Sequence, residues 1–130
     1  MRDLANNLDV KQSLAPALQT ATDEGNTVDT LGFESVTFAV HIGAWTDGTF
    51  VLSAEHSDDG SDWSAVTSAE LIGTPPTVED ANGDNDTLAF GYIGNKRYVR
   101  PKVTVTGSPS TGAFIGVDVI LGHPHERPVS

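Results

Sequence analysis

The chain has 130 residues, no cysteine and a formal net charge of −11 at pH 7. This length suits one domain with one core, and the lack of thiols excludes disulfides, thiolate zinc sites and cysteine nucleophiles. Eighteen acidic side chains against seven basic ones repel nucleic-acid phosphates and anionic lipid. We therefore expect no direct nucleic-acid partner and no membrane association, and no apolar run is long enough for a membrane helix.

The first 27 residues lack the regular hydrophobic period of the rest of the chain. Pro16 interrupts any helix there, and four leucines are loosely spaced: Leu4, Leu8, Leu14 and Leu18. We predict that residues 1–27 form an extended arm that packs on a partner or on the sandwich surface, and that its leucines become buried only on assembly, at an interface with a partner or a sister subunit. The opening residues also lack the apolar stretch of a secretory signal, so we expect the protein to fold where it is made.

From Ser35 onward, apolar residues recur with period two, which is the signature of strands. The first such strand is predicted over residues 35–42, and the turn at 46–49 predicts a hairpin with the next one. Further alternating segments follow at 50–56, 88–92, 98–105 and 113–121. The predicted fold is an all-β antiparallel sandwich, jelly-roll or immunoglobulin-like, over residues 28–122, with a short tail at 123–130.

Two of these segments carry information about position within a sheet. The segment 113–121 has apolar residues on both faces, which predicts a central strand or one covered by a neighbour. Pro101 lies inside the segment 98–105 and cannot donate to a strand ladder. It therefore predicts an edge strand or a bulge.

The acidic segment 79–86 has no periodicity and reads as an exposed loop. Four oxygen-bearing side chains alternate in it: Asp80, Asn82, Asp84 and Asp86. A calcium loop of the EF-hand type needs glycine where this chain has Asn85 and glutamate where it has Gly91. His123 and His125 form an H-x-H pair without an evident third ligand. We therefore expect no metal and no cofactor.

No catalytic constellation stands out in the sequence. Nearly all carboxylates lie in turn-like polar stretches, which argues against a general acid and base pair. The G-x-S-x-G nucleophile motif and the glycine-lysine loop of phosphate-binding proteins are both absent. We expect a structural or binding protein rather than an enzyme.

Two features are candidates for binding. Four of the seven basic residues form a cluster: Lys96, Arg97, Arg100 and Lys102. Alternation places Lys96, Arg100 and Lys102 on one face, where they either dock on an acidic partner or guard an edge strand against aggregation. Trp45 and Trp63 each adjoin a turn, where they either make surface aromatic contacts or plug the ends of the sandwich.

Several segments together carry a resemblance to a known group of proteins. They are Ser57–Trp63, Gly91–Arg100, the strand ending at Thr106–Gly107, and Leu121–Pro124. Over roughly Val28 to Pro124 the chain resembles small proteins of tailed bacteriophages and prophages that are encoded among the virion structural genes. The resemblance implies a virion protein, first of all a capsid decoration or cement protein on the outside of the head, assembled in the host cytoplasm.

The resemblance also implies partners and leaves alternatives open. The implied partners are the major capsid protein and copies of the chain itself, as a trimer. A minor neck or tail structural protein fits the same resemblance. A carbohydrate-binding module that uses Trp45 or Trp63 as a stacking platform is the alternative from a different class.

Overall fold

The computed structural model describes residues 2–126 as two packed antiparallel β-sheets. Eleven strands occur in this range: β1 (Asp9–Gln19), β2 (Asp23–Glu24), β3 (Val28–Asp29), β4 (Phe33–Trp45), β5 (Thr49–Ser57), β6 (Ser64–Ala65), β7 (Leu71–Ile72), β8 (Thr77–Val78), β9 (Asp86–Tyr92), β10 (Tyr98–Thr106) and β11 (Ala113–Pro124). Three single 3₁₀ turns supply the helical structure of the described range: Ala5–Asn7, Ser68–Glu70 and Ala81–Gly83. No helix within residues 2–126 has the length and apolarity to cross a membrane. The predicted all-β sandwich is confirmed.

The first sheet has the strand order β1-β11-β4-β9-β7. The second sheet has the order β2-β10-β5-β6, with β3 beside β2 on β10 and β8 beside β6 on β5. From β4 onward, consecutive long strands therefore alternate between the sheets along the chain. The predicted hairpin between residues 35–42 and 50–56 is wrong, because β4 and β5 lie in different sheets and the turn at 46–49 crosses the sandwich. Hydrophobic alternation is the same whether a turn joins two strands of one sheet or leads from one sheet to the other.

The core lies between the sheets and consists of the inward residues that alternation predicts. On β11 these are Ile115, Val117, Val119 and Leu121, all with 0–1% of their surface exposed. The Phe38 and Phe90 rings stack with centroids 4.9 Å apart. Strand β11 lies between β1 and β4, so its prediction as a central strand is confirmed.

The structure corrects the predicted N-terminal arm, because residues 9–19 form an edge strand of the sandwich. β1 pairs with β11 from Asp9 opposite Leu121 to Gln19 opposite Ala113. Register shifts occur between Gln12 and Leu14 and between Leu14 and Ala17, and Pro16 lies within the second of them, in an irregular stretch of the ladder. These shifts break the alternation, which is why the sequence pattern did not read as a strand.

A close crossing of the chain joins β1 to the second sheet. The Asn26 N–H donates to the Ser13 carbonyl, and the Gly25 N–H donates to the Pro101 carbonyl, both at 2.8 Å. A Cβ atom at Gly25 would lie within 3 Å of both Ser13 and Pro101, so the crossing requires glycine. Because N–H and C=O of one strand residue point the same way, the missing donor of Pro101 faces the gap between β2 and β3. The proline thus faces an interruption in the pairing of β10, but β10 has neighbours on both sides, so the predicted edge strand or bulge is wrong.

At the other terminus, β11 extends to Pro124, two residues into the predicted tail. The next residue stays attached, since the His125 N–H donates to the Gly32 carbonyl at 2.8 Å. Residues 127–130 of the predicted tail lie outside the described residues.

The turn after β5 explains the serine-aspartate-rich motif in physical terms. The Ser57 hydroxyl accepts the N–H groups of Asp59 and Gly60, and the Asp59 carboxylate accepts those of Ser61 and Asp62 at 2.8 and 2.9 Å. These short-range hydrogen bonds hold the chain in a tight loop ahead of Trp63. The bonds from Asp62 and Ser61 lower the pKa of Asp59 to about 2.

We expect the stability of the protein to fall at low pH because of this turn. An unfolded aspartate titrates near pH 3.9, so the contribution of the Asp59 carboxylate is present above about pH 4 and lost as pH falls towards 2. Asp59→Asn should lower the urea midpoint at pH 6 and not at pH 2, whereas Asp62→Asn should match the wild type at both. An NMR titration that gives Asp59 a pKa near 4 would contradict this.

Candidate functional site

The basic cluster lies at one end of β10 and along its outer side. Lys96 and Arg97 belong to the loop between β9 and β10, and Arg100 and Lys102 lie on the strand itself. Val99 and Val103 point into the core, so Arg100 and Lys102 share the outward face. Lys96 precedes the strand, so the alternation of β10 does not determine its direction. The prediction that Lys96 shares one strand face with Arg100 and Lys102 is therefore wrong.

Arg97 fastens two loops together. Its Nε and Nη2 donate to the two carboxylate oxygens of Asp29 at 2.7 and 2.6 Å. The guanidinium holds the pKa of Asp29 below its usual value. The backbone carbonyl of Arg97 also accepts the N–H and the hydroxyl of Thr30. This charge is therefore used within the chain, in a bidentate pair.

Two further cations of the cluster are also paired. Lys96 Nζ lies 2.9 Å from Asp58 Oδ2. Arg100 donates to Glu55 Oε1 at 2.9 Å, and both side chains are largely buried. The Arg100 guanidinium also stacks on the Trp63 ring, 4.2 Å from its centroid. Trp63 is thus occupied by a cation of its own chain rather than free as a stacking platform.

Lys102 differs from the other three. Within residues 2–126, no carboxylate lies within 4 Å of its ammonium, and its strand neighbours are Ser53 and Glu24. Only this member of the cluster therefore presents an unneutralised charge in the described part of the chain. The role of the cluster in attachment stays a prediction.

We expect the paired and unpaired cations to differ in their effect on stability. Arg100→Gln should lower the free energy of unfolding by about 1–2 kcal/mol, because it removes a part-buried ion pair and a guanidinium-indole stack. Lys102→Gln should change it by less than about 0.5 kcal/mol. Urea unfolding followed by circular dichroism measures both, and equal effects would contradict the assigned contacts.

A buried polar pair supports the loop that carries Lys96. The Tyr92 hydroxyl accepts the Lys96 N–H at 3.1 Å and lies 2.8 Å from Nδ1 of His56. Burial raises the pKa of Tyr92. The pair therefore fixes the loop rather than providing a reactive group.

Trp45 is likewise engaged within the fold. Its Nε1 donates to the Gly48 carbonyl at 2.9 Å, and its ring packs against the core. Both predicted aromatic contact residues, Trp45 and Trp63, are thus part-buried and partnered inside the chain.

The outward residues of the first sheet form a surface with unusually few charges. We call it the first-sheet face. It comprises Val10, Gln12 and Leu18 of β1, Thr37, Ala39, His41 and Gly43 of β4, Ile72 of β7, Thr87, Ala89 and Gly91 of β9, and Phe114, Gly116, Asp118 and Ile120 of β11. Its single carboxylate, Asp118, lies 3.2 Å from Nε2 of His41. Of the eighteen acidic side chains in the chain, this face thus includes one.

The four leucines predicted at an interface separate in the structure. Leu14 is 5% exposed and belongs to the core, which corrects its prediction. Leu18 is exposed on the first-sheet face, beside Phe114. Leu4, which is 52% exposed, and Leu8 border a groove of about 240 Å³ whose other wall includes Ile120. Three of the four therefore lie on or beside one surface, which sequence reasoning did not identify.

The histidines and the acidic loop do not converge. His123 bonds to Ser35, and His125 pairs with Glu34. Asp80 caps the 3₁₀ turn by accepting the Asn82 N–H. Within residues 2–126, no group of three histidine or acidic side chains is arranged to hold a metal ion.

Comparison with known proteins identifies the fold in two solved structures. No protein-family model matches this sequence, and no curated protein matches it. The SPBc2 prophage-derived protein YomS is similar with a TM-score of 0.55 at 14% identity, over 88% of this chain and 93% of that one. The PBSX exported protein XepA is similar with a TM-score of 0.56 at 18% identity, over 100% of this chain and 41% of that one. The chain therefore spans less than half of XepA, and at these identities the likeness shows the fold alone.

Proposed function

We propose that this chain is a non-catalytic structural component of a tailed-phage particle, and specifically a decoration protein on the outside of the head. The observation that carries the proposal is the fold shared with two prophage proteins, one of them over 93% of its length. The motifs at Ser57–Trp63, Gly91–Arg100 and Leu121–Pro124 support the same class of protein. The proposed partners are the major capsid protein and sister copies of the chain.

The first-sheet face is the surface we assign to attachment. Burying a charge without a partner is costly, so a strongly acidic protein associates most readily through the surface that carries the fewest charges. Phe114 is 46% exposed at this face, together with Leu18 and Val10. Small residues such as Ala39 and Ala89 lie opposite each other on neighbouring strands of the face, where a partner could approach the sheet closely.

Contacts between sister copies are assigned to the rim of the same face. Leu4 lies there, immediately before the 3₁₀ turn Ala5–Asn7 and outside the strand ladder. A trimer around a local axis of the head would bury this turn and leave the first-sheet face towards the capsid. Lys102, on the other sheet, would then face outward and add little to attachment.

A matched pair of charge substitutions tests the assignment. Phe114→Glu should reduce occupancy on purified particles at least tenfold, because an unpaired carboxylate would be buried against the capsid. Val51→Glu introduces the same charge at a residue of β5 that is 38% exposed on the opposite sheet, and occupancy should stay as in the wild type. Quantitative mass analysis of sedimented particles measures both.

Equal occupancy of the two variants would contradict attachment through the first-sheet face. Absence of the wild-type chain from particles would contradict the proposed function as a whole. A carbohydrate-binding module has less support, because Trp45 and Trp63 are both engaged within the chain.

A further inference from the structure

The edges of a β-sandwich expose unpaired backbone groups, and short strands cover both edges of the second sheet in this protein. In the second sheet, β8 pairs with β5 at Phe50 and Val51, and the Pro76 carbonyl accepts the Leu52 N–H. β6 and the Val66 N–H complete that edge. Strands β2 and β3 line β10, and Thr22 caps the Val105 N–H. The outer edge of β1 is interrupted by Pro16 and its register shifts.

Strand β9 is covered along only part of its outer edge. β7 pairs with it at Gly91 and Tyr92, and the Ile93 N–H continues this ladder to the Glu70 carbonyl at 2.8 Å. Because backbone groups alternate in direction along a strand, Thr87 and Ala89 point the same way as Gly91 and Ile93. Strand β9 pairs in residues 2–126 with β4 and β7 alone. The N–H and C=O of Ala89 and the C=O of Thr87 therefore lack a strand partner in that range.

The strand that covers β9 ends before this stretch is reached. The chain leaves the edge after Ile72 at Gly73, whose φ of +81° turns it away towards Pro75 and Pro76. Where β7 is present, the inward side chains Phe90 and Tyr92 are 2% and 5% exposed. Leu88, the next inward residue along β9, is only half-buried. A strand that paired with β9 in line with β7, past the end of β7, would cover the Leu88 side chain.

We propose that the β9 edge at residues 87–89 binds an extended segment of a partner protein, which adds a short strand in line with β7. The segment would exchange backbone hydrogen bonds with Ala89 and place an apolar side chain over Leu88. The carboxylates of Asp84 and Asp86 stand at the far end of the open stretch. The segment therefore carries a lysine or arginine near that end.

A second copy of the chain does not fit this edge. Two-fold pairing centred on Ala89 would bring Gly91 of each copy opposite Thr87 of the other, where β7 already stands. Pairing centred on Thr87 would place each Asp86 carboxylate opposite the apolar Leu88 of the other copy and diagonal to the second Asp86, so neither carboxylate would have a favourable partner. The Thr87 N–H is also capped by Asp86 Oδ1 at 2.8 Å, which removes one donor that self-pairing needs. A basic segment from a different protein avoids both conflicts.

Selection from a random decapeptide library against the wild-type chain tests the proposal. Enriched peptides are expected to alternate apolar residues and to carry a basic residue. Ala89→Pro removes the outward N–H without removing a hydrogen bond to β4, and it should weaken binding of those peptides at least tenfold. Ala89→Val keeps the N–H, serves as the matched control and should bind as the wild type does.

A second measurement does not depend on any variant. Amide hydrogen exchange at Ala89 should be fast in the free protein and slow at least tenfold with a selected peptide, whereas exchange at Phe90 should stay slow in both states. Equal binding to Ala89→Pro in its folded form, no protection of Ala89, or no enriched peptide pattern would each overturn the proposal.

Discussion

Deletion of residues 1–20 is expected to unfold the protein. The deletion removes β1, which pairs with β11 along most of its length, and with it the buried side chain of Leu14. Truncation of a buried leucine alone costs about 2–5 kcal/mol. Loss of a whole edge strand in addition approaches the 5–15 kcal/mol that roughly spans the total stability of a domain. Circular dichroism should show no cooperative thermal transition.

Deletion of residues 2–7 is the control. It removes the 3₁₀ turn and the exposed Leu4 and leaves β1 intact, so its Tm should lie within about 3 °C of the wild type. A 1–20 deletion that melts like the wild type would restore the detachable arm that the sequence predicts.

Substitution of Gly112 should be far more damaging than the same substitution at Gly73. Both glycines have positive φ, +82° and +81°, so alanine is strained by about 1–2 kcal/mol at either one. At Gly73 a Cβ atom meets nothing within 4 Å, whereas at Gly112 it would overlap the carbonyl oxygen of Gln19. Gly112→Ala should therefore cost at least about 2 kcal/mol more than Gly73→Ala, since the end of β1 must move away from β11.

Urea unfolding of the two alanine variants measures this difference directly. The Asp47 carboxylate accepts the Gly112 N–H, so displacement of Gly112 should also change the NMR shift of Asp47. Equal unfolding free energies for the two variants would show that β1 is not packed against this turn.

The inward faces of the long strands were predictable from the sequence, because each depends only on local alternation. Residues 36–42 and 115–121 show a clean period of two, and the structure buries the predicted face of each. Strand pairing was not predictable in the same way. A turn such as Thr46–Thr49 gives the same pattern whether it closes a hairpin or crosses the sandwich, and β1 was hidden by its register shifts around Pro16.

The candidate site shows the same division. The basic cluster is visible in the sequence, but its partners Asp29, Glu55 and Asp58 are 38 to 68 residues away, so their pairing depends on the fold. The first-sheet face left a weaker signal, namely outward strand positions such as Ala39 and Ala89 that carry no charge. That signal becomes informative only when the strands are set side by side.

An image reconstruction of particles that contain this chain would show where the sandwich is attached. We expect density for the sandwich on the outside of the head, with the first-sheet face and Phe114 against the major capsid protein and Lys102 facing solvent. Density in the neck or tail would place the chain among the minor structural proteins. Particles without such density, or a sandwich attached through β10 and Lys102, would contradict a decoration protein attached through the first-sheet face.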